Sequence, residues 1–255
     1  MFGFLCDMDG VLVRGRQVVP GAVKFIKELQ KTHRPYLLLT NNPDATPREL
    51  SGHLKYLGMG VPPSHFYTSA QATAAFLHSQ SPRPRVFAIG TKALLEELEA
   101  IGAHLTKRDP EYVVVGSPRT YDYALLETAI NLVREGAKLI GTNPDVMGPT
   151  EKGVRPGAGA LVAPVERAAG RKAYFIGKPN PLMMRIAVRR MGVRSSEAYM
   201  VGDRMDTDIV AGMESGMRTI LVLSGVTKRS DLKLYPYRPH YIVENVGKIP
   251  LKKLP

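Results

Sequence analysis

Cysteine is almost absent, with Cys6 alone among 255 residues. An intrachain disulfide is therefore excluded, and the apolar core has to carry the fold unaided. At 44% hydrophobic residues the chain has enough for one large domain or two modest ones. Cys6 sits in an apolar run and reads as a small buried hydrophobe rather than a reactive thiol. Long hydrophobic runs are also missing, so no membrane partner is expected. Only six residues precede Asp7. If that carboxylate is functional, no signal or transit peptide has space before it, and a reducing, cytoplasmic location is expected. Internal repeats and low-complexity segments are absent too.

Acids are scarce: 23 Asp and Glu face 35 Lys and Arg, a formal charge of +12. From Lys152 to Arg194 ten Lys or Arg meet one acid, Glu166. No aromatic platforms are interleaved with them, so solvated helix faces account for the charge and no specific nucleic-acid partner is expected. The surplus still draws small phosphorylated anions toward the protein.

What is present is organised around FGFLCDMDGVLV, residues 2 to 13. Phe2, Phe4, Leu5 and Cys6 suit a parallel strand covered on both faces, which favours continuous hydrophobicity. Asp7 and Asp9 follow at its carboxyl end, where open α/β sheets bind ligands. Gly10 permits a tight turn or a close backbone approach. Asp-x-Asp-Gly also occurs in calcium loops and ordinary turns, so the motif needs partners elsewhere in the chain.

Periodicity supplies the frame. Ala22, Phe25, Ile26 and Leu29 mark a helical face, Tyr36 to Leu39 a second buried strand, and Thr46-Pro47-Arg48-Glu49 a capping box before a helix that Gly58 stops. A strand at 65–68 and a helix from Ser69 follow. Ser81-Pro82-Arg83-Pro84 reads as a hinge. A second α/β unit then begins, with strands at 86–89, 112–115 and 138–141. Residues 143–157, rich in Pro and Gly, fit neither regular period and read as a long functional loop. A helix over 158–168 closes this unit. The strand at 173–176 leads to Lys178, Asn180-Pro181 caps a helix whose Met-rich stripe reads as core, and the strand at 198–201 ends at Asp203. A last strand covers 218–223, and the tail from Asp231 wraps the sheet edge. The expected fold is α/β: a doubly wound, Rossmann-like parallel sheet formed by residues 1–80 and 172–255, with an inserted α/β domain at 81–171.

Four polar stretches follow four apolar strands: Asp7 with Asp9, Thr40-Asn41-Asn42, Lys178, and Asp203 to Asp208. In a parallel sheet those ends share one edge, so the stretches are expected to converge. Crowded carboxylates repel unless a divalent cation neutralises them, and all-oxygen ligation suits Mg²⁺ with a substrate phosphate. A lysine and a hydroxyl or amide opposite it can hold phosphoryl oxygens. With Asp203 as ligand and Asp208 as support, Asp206 has no required role.

In Asp7-Met8-Asp9-Gly10-Val11, Thr40-Asn41-Asn42, Lys178-Pro179 and Gly202-Asp203 with Asp208, the sequence resembles the haloacid dehalogenase superfamily of phosphatases. FYTSAQATAAFL, GTNPD, GKPNP and LVLSGV are similar to its NagD-like branch of nucleotide and sugar phosphatases, related to nitrophenyl phosphatases. The resemblance spans essentially the whole chain. It implies a large α/β cap inserted between the second and third motifs, and a Mg²⁺-dependent phosphomonoester hydrolase acting on small phosphorylated metabolites. Asp7 would be the nucleophile and Asp9 the acid and base. The metal would be held by Asp7, the Asp9 carbonyl and Asp203, supported by Asp208, with Thr40, Asn41 and Lys178 binding the phosphoryl group. The segment 143–157 would select the leaving group. A phosphotransferase or phosphomutase on the same fold is the nearest alternative. A phospho-signalling receiver domain is about half this length and has no inserted unit, and a nucleic-acid module would rest on charge alone. A homo-oligomer stays open.

Overall fold

The computed structural model describes residues 2–150 and 153–254. Glu151 and Lys152, part of the 143–157 segment and of the basic stretch, lie outside the described residues. The chain folds as two compact units, one of Met1–Thr40, Pro47–Tyr67 and Lys178–Pro255, the other of Asn41–Thr46 and Thr68–Gly177. The expected boundaries at 81 and 171 both fall inside the second.

The first unit is built on a six-stranded sheet in the order Tyr241–Val243, Arg218–Val222, Ala198–Gly202, Gly3–Asp7, Tyr36–Thr40, Phe66–Thr68. The first four of these pairings are parallel. Gly3–Asp7, Tyr36–Thr40 and Ala198–Gly202 are buried at every position, which is why they read as unbroken apolar runs. The opening strand is central. Strands that follow it closely stand on one side and those from the C-terminal part on the other, so the strand order reverses at its carboxyl end and opens a crevice there.

Around this sheet the sequence patterns hold. Ala22, Phe25, Ile26 and Leu29 are buried along the helix Ala22–Lys31, and Phe4 stacks on Tyr199 at 5.3 Å between ring centroids while meeting Phe25 edge-on at 6.0 Å. Each such large apolar side chain contributes about 1.5–3 kcal/mol by leaving water. The helix Pro181–Met191 packs on Gly3–Asp7 and Tyr36–Thr40. It begins where the Asn180 side chain accepts the Leu182 N–H, with proline at its first position, and ends at Gly192 with φ +70°. Met183, Met184, Ala187 and Val188 are buried along it, so the methionine stripe is core.

The second unit carries a five-stranded parallel sheet, ordered Tyr174–Phe175, Lys138–Gly141, Tyr112–Val115, Arg85–Ile89, His104–Leu105. Its core packs Val113, Val115 and Leu139 against Val162 and Val165 of the helix Ala158–Ala169. The helix Ser69–Gln80 opens on a reciprocal cap between Thr68 and Gln71 and packs on Lys92–Ala100.

Three expectations are corrected. The segment 143–157 is not a structureless loop: Met147–Thr150 and Gly153–Pro156 form an antiparallel hairpin. The strand before Lys178, Tyr174–Phe175, pairs with Lys138–Gly141 and so belongs to the smaller sheet, which leaves Lys178 to reach its position from a loop rather than from a shared sheet edge. The tail does more than wrap the edge, because Tyr241–Val243 adds a parallel strand to it.

Candidate active site

Asp7 ends the central strand and is 7% exposed. Lys178, 2% exposed, donates to Asp7 Oδ1 at 2.6 Å and to Asp208 Oδ1 at 2.8 Å, with the Leu39 carbonyl at 3.4 Å. A buried ammonium held between two carboxylates fixes both. Asp208 is fully buried in the wide turn Met205–Ile209, and its Oδ2 accepts the Arg204 N–H at 3.1 Å. Asp203 Oδ2 accepts the Val226 N–H at 2.7 Å. Its Oδ1 is buried and has no hydrogen-bond partner among the described residues. Gly10, at φ +80°, turns the chain beside it, and a Cβ there would lie 2.4 Å from Asp203 Oδ2. A side chain at Gly10 would therefore both strain the turn and displace this carboxylate.

The electrostatics ask for more positive charge. Burial is the largest influence on Asp7 and raises its pKa well above the usual range; Lys178 lowers it, while Asp208, Asp203 and Asp9 raise it again. Asp203 is pushed up to about 7, by burial first and by Asp208 next, against the Val226 N–H and the charges of Lys178 and Arg204. For Lys178 burial acts downward, but Asp208 and Asp7 outweigh it and hold the ammonium above its ordinary value. One lysine does not neutralise three carboxylates. Asp7, Asp203 and Asp208 each offer an oxygen within 4.8 Å of the others, an all-oxygen set that suits a hard divalent cation. The unpartnered Asp203 Oδ1 and the two raised carboxylates fit such an ion.

The remaining expected residues fall as follows. Asp9 is exposed in the turn after the strand, unlike Asp7. Thr40, 3% exposed, ends the neighbouring strand one residue beyond the Leu39 that pairs with Asp7. Asn41 is the next residue and begins the second unit. Asp206 pairs with Arg204 at 2.8 Å at the surface and is not one of the three clustered carboxylates.

The haloacid dehalogenase-like hydrolase family model matches residues 4–104, and a second, HAD-hydrolase-like, matches 175–249. Dihydroxyacetone phosphatase of Corynebacterium glutamicum is 43% identical over 244 residues, covering 96% of this chain and 89% of that protein. The chain belongs to the haloacid dehalogenase-like hydrolases. Within them it is a NagD-like phosphatase: ribonucleotide monophosphatase NagD of Escherichia coli K12 is 41% identical over 245 residues, 96% of each chain. The solved NagD structure superposes with a TM-score of 0.93 at 40% identity, covering 98% of each chain. A 4-nitrophenylphosphatase from Thermotoga maritima gives 0.92 at 33% identity, over 97% of this chain and 95% of that one.

One part of this NagD-like site was not read as such from the sequence. Residues 224–227 wrap Asp203: beyond the Val226 N–H, the Thr227 N–H donates to the Asp203 carbonyl at 3.1 Å, and Ser224 Oγ donates to the Gly10 carbonyl at 2.6 Å. A Cβ on Gly225 would lie 1.9 Å from Asp203 Oδ2. Backbone N–H groups carry no side-chain signature, and Gly225 lies 22 positions after Asp203. The stretch LVLSGV carried part of the resemblance, but the close approach to Asp203 was marked only by the small residues Ser224-Gly225.

Proposed function

We propose that the chain is a Mg²⁺-dependent phosphomonoester hydrolase that cleaves small phosphorylated metabolites, nucleoside monophosphates or sugar phosphates, through an aspartyl phosphate on Asp7. The observation that carries this reading is the buried contact of Lys178 with both Asp7 and Asp208 at the carboxyl end of the central strand. The names of the similar proteins, a dihydroxyacetone phosphatase, a ribonucleotide monophosphatase and a 4-nitrophenylphosphatase, support the substrate class.

An Asp7 carboxylate oxygen attacks phosphorus, and the bond from phosphorus to the ester oxygen breaks. Asp9, exposed where a substrate and water can reach it, gives its proton to the departing oxygen. Water then attacks the phosphorus of the aspartyl phosphate, Asp9 takes the proton, and phosphate leaves with Asp7 restored. Thr40, the Asn41 backbone and Lys178 hold the phosphoryl oxygens, which chiefly need positioning and compensating charge. Asp7, the Asp9 carbonyl and Asp203 would hold Mg²⁺, which supplies charge neutralisation on the phosphoryl group. Asp208, already engaged by Lys178 and the Arg204 N–H, orients its neighbours instead of ligating.

Phosphate release from a panel of nucleotides, sugar phosphates and nitrophenyl phosphate with Mg²⁺ tests the reading, and full turnover in excess EDTA would sink the metal assignment. Stability gives an independent readout. The folded, cation-free protein holds the Asp203 proton more tightly than the unfolded chain does, with a pKa of about 7 against 3.8. That contribution is complete below about pH 4 and is lost as the pH rises through about 7. In EDTA, Tm is therefore expected to fall from about pH 5 to about pH 8, with Mg²⁺ raising it more at the higher value. An equal gain at both pH values counts against Asp203 as ligand.

We further propose that residues 81–171 form the cap and that the hairpin within 143–157 selects the leaving group. Val146, Met147 and Val154 are exposed on it, and Arg155 pairs with Asp44 at 2.9 Å, tying it to the segment that follows Asn41-Asn42. Val154→Ser with Met147→Ser is expected to reorder substrates severalfold, seen in kcat/KM across the panel. A uniform decline would make the hairpin merely structural.

A further inference from the structure

Within the second unit, three stretches of chain converge on Asn41. Its carbonyl accepts two hydrogen bonds, from Ser69 Oγ at 2.6 Å and from Asn143 Nδ2 at 2.7 Å. Its own Nδ2 donates to Asp145 Oδ2 at 2.9 Å, and Asn143 Oδ1 accepts the Asp145 N–H at 3.1 Å. A Cβ on Gly177 would lie 2.6 Å from Asn41 Oδ1 and 2.8 Å from Asn143 Cβ, so only bare backbone fits on that side. Asn41, Asn143 and Ser69 are all buried. A buried amide network of this kind specifies one geometry, because each bond left unmade costs more than an apolar contact would.

The two ends of the network have meaning in the chain. Asn41 directly follows Thr40, and Gly177 directly precedes Lys178, so fixing both residues fixes the peptides that carry the two proposed phosphoryl-holding side chains. We infer that Asn143, assisted by Ser69 and Asp145, is a positioning residue that fixes the carbonyl and side chain of Asn41, and through Asn41 the adjoining Thr40, for the phosphoryl group and takes no part in choosing the leaving group. The inference rests on the phosphatase reading above. It assigns Asn143 and Asp145 a task common to all substrates and leaves selection to the exposed hairpin.

Asn143→Asp tests it, because the change keeps shape but sets a carboxylate oxygen where an amide donor met the Asn41 carbonyl. Three quantities are compared with the unaltered protein: kcat/KM for nitrophenyl phosphate, a nucleoside monophosphate and a sugar phosphate; the inhibition constant of inorganic phosphate; and Tm. All three kcat/KM values are expected to fall by one common factor, about ten- to a hundredfold, with phosphate inhibiting correspondingly more weakly. Asn143→Asp should do at least as much damage as Asn143→Ala, the reverse of what a space-filling role gives. An unchanged phosphate inhibition constant, or a changed substrate ranking, overturns the inference while leaving the phosphatase reading intact. If the unaltered protein released no phosphate from any ester, that reading would fall first and the inference with it. Should Asn143→Asp not fold, Ser69→Ala removes the other donor to the same carbonyl and is expected to show the same common-factor loss at smaller size.

Discussion

Asp7→Asn is expected to abolish turnover with every phosphate ester, whereas Asp9→Asn is expected to release a burst of nitrophenol and then proceed slowly. The two carboxylates stand two residues apart, yet the fold gives them different surroundings: Asp7 is buried against Lys178, and Asp9 is exposed in the turn. An amide at residue 7 is a poor nucleophile and a poor metal ligand, so the covalent step and cation binding fail together. An amide at residue 9 removes only proton transfer. With a sugar or ribose hydroxyl leaving, that loss is on the order of 10² to 10⁴. Nitrophenolate departs without a proton, so the aspartyl phosphate forms, but its hydrolysis lacks a base. Rapid-mixing absorbance should then show about one equivalent of nitrophenol before the slow phase. Equal failure of both variants with nitrophenyl phosphate, each still binding Mg²⁺, would overturn the division of labour.

Lys178→Met should reduce both activity and stability, and its pH dependence identifies the cause. Removing a buried ammonium between Asp7 and Asp208 leaves two buried carboxylates without their main cation, a loss of about 3–5 kcal/mol when one partner of a buried pair is removed. The raised pKa of Asp7, which Lys178 holds down, rises further in the variant, so its folded state holds a proton that the unfolded chain does not. Stability is then retained at low pH and lost as the pH rises, making the deficit larger near pH 8 than near pH 5. Denaturant unfolding at the two pH values measures this. Turnover should fall by about 10³ or more through loss of charge on the phosphoryl oxygens. A pH-independent deficit would mean that Lys178 contributes by packing alone.

The gathering of Asp7, Lys178 and Asp203 was legible in the sequence because each stands at or just past the end of an apolar run, where packing alone gives no reason for a charged side chain. Continuous hydrophobicity marked Tyr36–Thr40 and Ala198–Gly202 as buried strands for the same reason. Periodicity says that a segment is a strand but not which sheet it joins. Tyr174–Phe175 went to the smaller sheet because Gly141 leaves its side open to the Phe175 ring, a tertiary fit that no local pattern records. The pairing of Met147–Thr150 with Gly153–Pro156 was invisible from a different cause. Gly153 to Pro156 is exposed throughout, so no inside face imposes alternation, and backbone hydrogen bonds alone define the ladder. The burial of Asp208 in the wide turn Met205–Ile209 was likewise beyond reach, since its i→i+5 bonding has no compositional mark.

Because Asn41–Thr46 clusters with Thr68–Gly177, the chain passes from one compact unit to the other four times, and two of the passages fall beside Thr40 and Lys178. An exchange of 81–171 alone therefore cuts through the second unit. A chimaera spliced at the proline-rich hinge near 81 and at 171 would keep a native Ser69 and Asn41 but supply a foreign partner for them in place of Asn143. The second compact unit consists of two pieces, 68–177 and the six residues 41–46, which lie in the first quarter of the polypeptide. Exchange of one piece without the other separates Asp44 from Arg155 and Asn41 from Asp145. If the hairpin selects the leaving group as proposed, point changes on its exposed residues alter substrate choice without disturbing these pairs.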